Sequence, residues 1–259
     1  MKRIAVVTAK GGTGKTTTAI NLGHGLALSG RRVLLIDCDP QGNISAAFGL
    51  EPEMGLADLL TSGKAAIEYL RPGLYLVDSG GQRLAEAEIF LAGEPRRESR
   101  MSDALAGLRG SDVVICDCSP SINLLNLNAL AYVDWAIIPV TMDYFAMLGT
   151  RQTLTMMQQV ENILQRPTQT LGILPTFYDQ RTRISRQMNE TLMAEYGSRM
   201  FATRIRTNVQ LREAQVAGKT IFEHAPYSSG AMDYYLLTKE VLTRLDENGD
   251  APSTEDDHG

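Results

Sequence analysis

One stretch constrains this chain more than any other. The apolar run Ile4–Ala9 leads straight into Lys10-Gly11-Gly12-Thr13-Gly14-Lys15-Thr16-Thr17, and helical spacing follows, with Ala19, Leu22 and Leu26 in register and Gly30 as the stop. A strand, a glycine loop and a helix in that order make a phosphate cradle. The glycines let backbone N–H groups turn inward, and the helix N-terminus adds partial positive charge. Lys15 supplies a point charge for the β- and γ-phosphates of a nucleotide, and the Thr16 hydroxyl can ligate Mg2+. The strict pattern wants glycine six residues before Lys15, where Ala9 stands; the loop is instead a variant with Lys10 just ahead of the glycine pair.

Four further apolar runs of strand length, Val33–Ile36, Val113–Cys116, Ala136–Val140 and Leu171–Leu174, alternate with helical patterns. Near-continuous apolar strands separated by helices predict an α/β fold with a doubly wound, mainly parallel sheet flanked by helices. The 259 residues fit one P-loop domain over 1–248, with the acidic segment 249–259 expected to be a disordered tail. The first apolar run is too short for a signal-peptide core, and no run approaches the ~20 apolar residues of a spanning helix. Cys38, Cys116 and Cys118 are too few for a disulfide framework, lack a zinc ligand set and point to a reducing compartment as small packing residues. The segment Glu51–Gly110 is the least legible; within it Glu94–Met101 reads as a solvated loop or helix start. A last helix is expected over about Ala231–Leu245.

Two apolar strands end in carboxylates. Val33–Ile36 runs into Asp37 and Asp39, and ligands of an open α/β sheet sit beyond the carboxyl ends of its strands. Asp37 alone would read as a turn cap. Beside the phosphate loop, the pair reads as one acid holding a metal-bound water and one activating the attacking water. Val113–Cys116 runs into Asp117, the Walker B pattern, whose carboxylate reaches Mg2+ at the loop threonine; Ser119-Pro120-Ser121 then makes a turn able to sense a γ-phosphate.

Taken with Asp37-Cys38-Asp39-Pro40-Gln41-Gly42-Asn43, Asn128-Ala129-Leu130, Pro139-Val140, Leu211–Ala214 and Gly218-Lys219, the loop resembles the deviant Walker A group of ATPases, the ParA/MinD family, over residues 1–245. The string from Asp39 to Asn43 favours its ParA partition branch. The resemblance implies ATP and Mg2+ as cofactors, Lys10, Lys15 and Asp39 as catalytic residues, and Thr16, Asp37 and Asp117 around the metal. It places nucleotide contacts at Lys10, Gly11, Gly12, Thr13, Gly14, Lys15, Thr16, Thr17 and Asn43, and an adenine pocket near Thr176 and Asn208. It further implies a homodimer with ATP between the subunits and Lys10 crossing the interface. A ParB-like or cargo-adaptor partner would stimulate slow hydrolysis, in a cytoplasmic, nucleoid-associated protein that partitions or positions a cargo.

Net charge is −5 and pI about 5.3, so the chain as a whole repels nucleic acid. From Arg181 to Arg212, however, seven arginines stand against Glu190 and Glu195, a local charge of +5. Arg181, Arg183, Arg186, Arg206 and Arg212 are therefore the expected contacts to nonspecific double-stranded DNA. The family commonly has Pro-Arg-Asn where Arg206-Thr207-Asn208 stand, arginine at Gln210 and proline at Gln215. The alternatives are a membrane-associated MinD-like regulator and a metabolic enzyme on the same scaffold. Against the first, the last helix lacks a basic polar face, so no membrane partner is expected. His24, His224 and His258 have no metal spacing and read as structural or solvated. Tyr144–Leu148 and Met156-Met157 read as core or interface.

Overall fold

The computed structural model describes residues 1–121 and 123–247, so the expected tail and residue 248 lie outside the described residues. Seven strands form one sheet: β1 (Lys2–Val6), β2 (Val33–Asp37), β3 (Glu68–Arg71), β4 (Leu74–Val77), β5 (Val113–Asp117), β6 (Trp135–Thr141) and β7 (Gln169–Thr176). Their order is β3-β4-β2-β5-β1-β6-β7, and every pairing is parallel except β3 with β4. Eleven α-helices are described: α1 (Lys15–Leu28), α2 (Asn43–Phe48), α3 (Leu56–Ser62), α4 (Gln82–Leu91), α5 (Arg100–Ala104) and α6 (Leu124–Tyr132) in the first half. The second half carries α7 (Ala146–Leu164), α8 (Arg183–Tyr196), α9 (Val209–Val216), α10 (Ile221–His224) and α11 (Ser229–Glu247).

Successive strand side chains point to opposite faces, and here each face has its own core. Ile4 and Val6 of β1, Val33 and Leu35 of β2, and Val113 and Ile115 of β5 pack with Leu22 and Leu26 of α1 and Tyr234, Leu237 and Val241 of α11. Ala5, Leu34, Ile36, Val114 and Cys116 face the other way, onto Leu84 of α4, Leu125 and Ala129 of α6, and Met156 and Val160 of α7. All three cysteines are buried and free, as small packing residues. The strand order reverses at β1: its own connection leads toward β2, while the connection out of β5 crosses β1 to reach β6. Such a switch point opens a crevice at the carboxyl edge, and the glycine loop leaves β1 there.

All five expected strands are present with shifted ends; β1, for instance, stops at Val6 because the chain turns at Thr8–Ala9 toward α7. The segment that could not be read holds β3, β4 and three helices, and Glu94–Met101 is indeed a helix start, opening on one 3-10 turn. The last helix is longer than expected at both ends.

Candidate functional site

The loop between β1 and α1 needs the left-handed backbone twice. Gly12 has φ 71° and Gly14, the N-cap of α1, has φ 87°, conformations that cost side-chain-bearing residues energy. The requirement at Gly14 is the backbone alone, since a Cβ there would meet only the ring of Phe177, at an ordinary 3.7 Å; Phe177 is itself a non-glycine residue held at φ 50° after β7. Three side chains from elsewhere pin the loop. Thr153 of α7 accepts from the Ala9 N–H at 3.0 Å, the Thr176 hydroxyl donates to the Thr13 carbonyl at 2.9 Å, and Gln215 Nε2 donates to the Thr17 hydroxyl at 3.0 Å.

Beyond the strand ends lies a cavity of ≈ 650 Å³. Gly11–Thr17 form its floor, Asp39 and Asn43 one wall, and Thr176, Phe177, Arg206, Asn208, Arg212 and Gln215 the other. The expected phosphate, catalytic and nucleotide residues thus meet around one space, apart from Lys10. Asp37 and Asp117 sit opposite each other on neighbouring strands β2 and β5. The Thr16 hydroxyl donates to Asp117 Oδ2 at 2.6 Å, while Asp117 Oδ1 is buried without a partner. Burial pushes the Asp117 carboxyl up to about 7, against the Thr16 hydrogen bond and the Lys15 charge. Burial, with Asp117 beside it, also pushes Asp37 well up, although its oxygens accept the Asp39 and Ile44 N–H groups at 3.0 Å each. Asp37 therefore does cap the turn that carries Asp39. Burial lowers Lys15, only partly offset by Asp117. Asp39 is 8% exposed and accepts from the Gln41 N–H at 3.0 Å.

An orphaned carboxylate oxygen, a hydroxyl and two acids disfavoured as charges suit a hard divalent cation such as Mg2+. Among the described residues no cluster of three or more His, Cys, Asp or Glu could hold a metal unaided. Such an ion would need phosphate oxygens and water to complete its shell, which is how Mg2+ usually binds.

Lys10 is elsewhere. Its ammonium donates to Asp143 Oδ2 at 2.7 Å and to the Thr141 hydroxyl at 3.1 Å, at the end of β6. Next to it, Tyr144, Phe145 and Leu148 are 77%, 55% and 53% exposed, whereas Ala146, Met156 and Met157 are core. Among the expected DNA contacts, Arg183 and Arg212 are exposed and make no ion pair among the described residues, and the Arg186 side chain donates to the Gln180 carbonyl. Arg181 is 84% exposed at its side chain but folded back on Asp179. Arg206 is bound by Asp233, a buried acid of α11, through Nε, Nη2 and its own backbone N–H. Asn208 caps α9 through the Gln210 N–H and donates to the Ser229 hydroxyl. Sequence reasoning missed Thr141, Asp143 and Thr153, which touch the loop across more than 130 positions and carry no local signature.

Comparison with known proteins agrees with this geometry. The model of a family described as an AAA domain matches residues 1–170. The chromosome-partitioning ATPase Soj of Thermus thermophilus is 41% identical over 249 residues, covering 95% of this chain and 98% of that protein. The chain belongs to the ParA/Soj family of P-loop ATPases. The chromosome partitioning protein ParA of Caulobacter vibrioides is 35% identical to this ParA/Soj chain, covering 94% of it and 95% of the relative. Among solved structures, cobyrinic acid a,c-diamide synthase of Mycobacterium smegmatis with bound ADP and magnesium superposes with a TM-score of 0.82 at 32% identity, covering 96% of each chain. This member of the ParA/Soj family is thus an ATPase with the doubly wound P-loop fold. No described helix is long and apolar enough to cross a membrane.

Proposed function

We propose that the chain is a partition or positioning ATPase that pairs on ATP, grips nonspecific DNA as the pair, and releases it on hydrolysis. The observation that carries this reading is the convergence of Lys15, Thr16 and Asp39 on one cavity, with Asp117 bonded to Thr16 beneath it, in a chain whose relatives are partitioning ATPases. ATP lies on the backbone N–H groups of Gly11–Thr17, with Lys15 and the α1 N-terminus facing its β- and γ-phosphates. Asp117 and Thr16 are the residues that would hold Mg2+, with Asp37 beside them. Bound there, the cation would supply positive charge against the phosphate oxygens. Asp39, held by the Gln41 N–H at the cavity wall, orients and polarises the attacking water. Lys10 of each subunit reaches the phosphates bound by the other, and the exposed Tyr144, Phe145 and Leu148 meet their copies beside it.

Pairing brings two sets of Arg183, Arg186 and Arg212 together, which supports a nucleotide-switched contact with the nucleoid. A ParB-like or cargo-bound partner accelerates turnover, since phosphoryl transfer lacking an arginine finger is slow. The likeness to the M. smegmatis structure favours a second reading, a metabolic enzyme on this scaffold. ATP turnover and DNA binding separate the two. The partition reading expects binding with ATP but not ADP, weakened on Arg183→Ala plus Arg186→Ala, with the salt dependence shallower by about one per lost phosphate contact. Equal binding with no nucleotide, ADP and ATP, or turnover driven by a small molecule and indifferent to DNA, would count against it.

A further inference from the structure

We infer that Asp143 is a positioning residue for Lys10: with the Thr141 hydroxyl it keeps the lysine on its own chain and competes for it with the phosphates of a second copy. This rests on the two-subunit site proposed above and adds its resting state. The carboxylate is built to receive a cation. Asp143 Oδ2 accepts from the Lys10 ammonium at 2.7 Å and from the Thr141 hydroxyl at 2.7 Å, while Oδ1 accepts from the Phe145 N–H at 2.8 Å. Burial would raise this carboxyl, yet the Lys10 ammonium and the Thr141 and Phe145 donors outweigh it and leave it below its usual range.

The lysine is seated as well as paired. Its ammonium lies 5.8 Å from the centre of the Phe145 ring, and its stem runs over Gly149, where a Cβ would come within 3.9 Å of Lys10 Cδ. One turn further along α7, Thr153 holds the Ala9 N–H, so the segment Thr141–Thr153 grips both the lysine head and the backbone beside it. An ammonium with this carboxylate cannot also serve another chain's phosphates, and the strand-to-helix turn that holds it presents Tyr144 and Phe145 outward. The hold is weak enough to be released. The two side chains are 34% and 46% exposed, and half-exposed pairs contribute a factor of about three each. Pairing frees two lysines, so the penalty on the dimer is about tenfold.

Sedimentation equilibrium with Mg-AMPPNP tests this on the full chain. Asp143→Asn keeps an oxygen for the Phe145 N–H and is expected to tighten the dimer about tenfold, less so in high salt. Asp143→Glu is expected to restore wild-type affinity. Added to Lys10→Ala, Asp143→Asn should leave the chain monomeric, and a dimer regained without the lysine would show that Asp143 acts independently of Lys10 and overturn the inference. A dimer unchanged or weakened by Asp143→Asn overturns the inference. Acetylation of Lys10 by sulfo-N-hydroxysuccinimide acetate, read by mass spectrometry without nucleotide, judges the hold independently of pairing. Asp143→Asn should raise it severalfold; equal labelling overturns the hold. A wild type that stays monomeric at every concentration refutes the two-subunit reading and the competition with it, while the labelling still decides whether the hold exists.

Discussion

Arg206 was expected at the DNA, but its surroundings assign it a heavier duty. Asp233 is 3% exposed, and its carboxylate receives Arg206 Nε at 3.0 Å, Nη2 at 2.6 Å and the Arg206 backbone N–H at 2.9 Å. Arg206→Ala leaves that carboxylate buried with one backbone donor. Removing one member of a buried ion pair costs about 3–5 kcal/mol; because the Arg206 side chain is 44% exposed, water can enter and the cost falls to about 2–3 kcal/mol. At the ~2–4 °C per kcal/mol typical of a chain this size, the melting temperature should drop by about 4–12 °C in a circular dichroism melt. Asp233→Asn added to Arg206→Ala removes the stranded charge and should recover at least half of the loss. Arg206→Ala melting with the wild type, or the double variant melting below the single one, would refute this. The result also governs how DNA experiments are read, since loss of binding in an Arg206 variant that is partly unfolded says nothing about a contact.

Thr153→Val keeps the volume of a fully buried side chain but strands the Ala9 N–H, at about 1–3 kcal/mol. ADP affinity measured by titration calorimetry should fall about tenfold, and unchanged affinity would show that α7 does not set the loop. Burial lowers the His24 pKa below 6.5, against the pull of Glu223 and helped by Arg71, and its Nδ1 lies 2.6 Å from the Thr220 hydroxyl. The unfolded chain then binds the extra proton more readily, so this group's stabilisation is complete above about pH 6.5 and is lost as pH falls below it. His24→Gln should flatten that part of the stability–pH curve from urea titrations, and an undiminished slope would assign it to other groups.

The fold was legible where physics is local. Strands buried on both faces must be apolar throughout, so β2, β5, β6 and β7 announce themselves, and the glycine loop names its own ligand class. β3 is four residues at the sheet edge with Glu68, Tyr69 and Arg71 not buried, so no apolar run marks it; β4, Leu74–Val77, is an apolar run of only four residues beside it and was not separated from the illegible segment around it. The site was legible in the residues that point at phosphate and opaque in those that hold them. Thr153 and Asp143 look like any polar residues near a helix start, and only the crossing of β6 beside β1 gives them a partner. The arginine-rich third shows the opposite failure. Charge counting cannot tell Arg183, exposed and unpaired among the described residues, from Arg206, which is committed to Asp233.

In the proposed mechanism ATP joins two copies through lysines exchanged between them. The direct measurement is analytical ultracentrifugation of the wild type, Asp39→Ala and Lys10→Ala with Mg-ATP, Mg-ADP and no nucleotide. A long-lived dimer is expected only for Asp39→Ala with ATP, a transient one for the wild type with ATP, and monomers for Lys10→Ala throughout. Asp39→Ala saturated with unhydrolysed ATP and sedimenting as a monomer would contradict it.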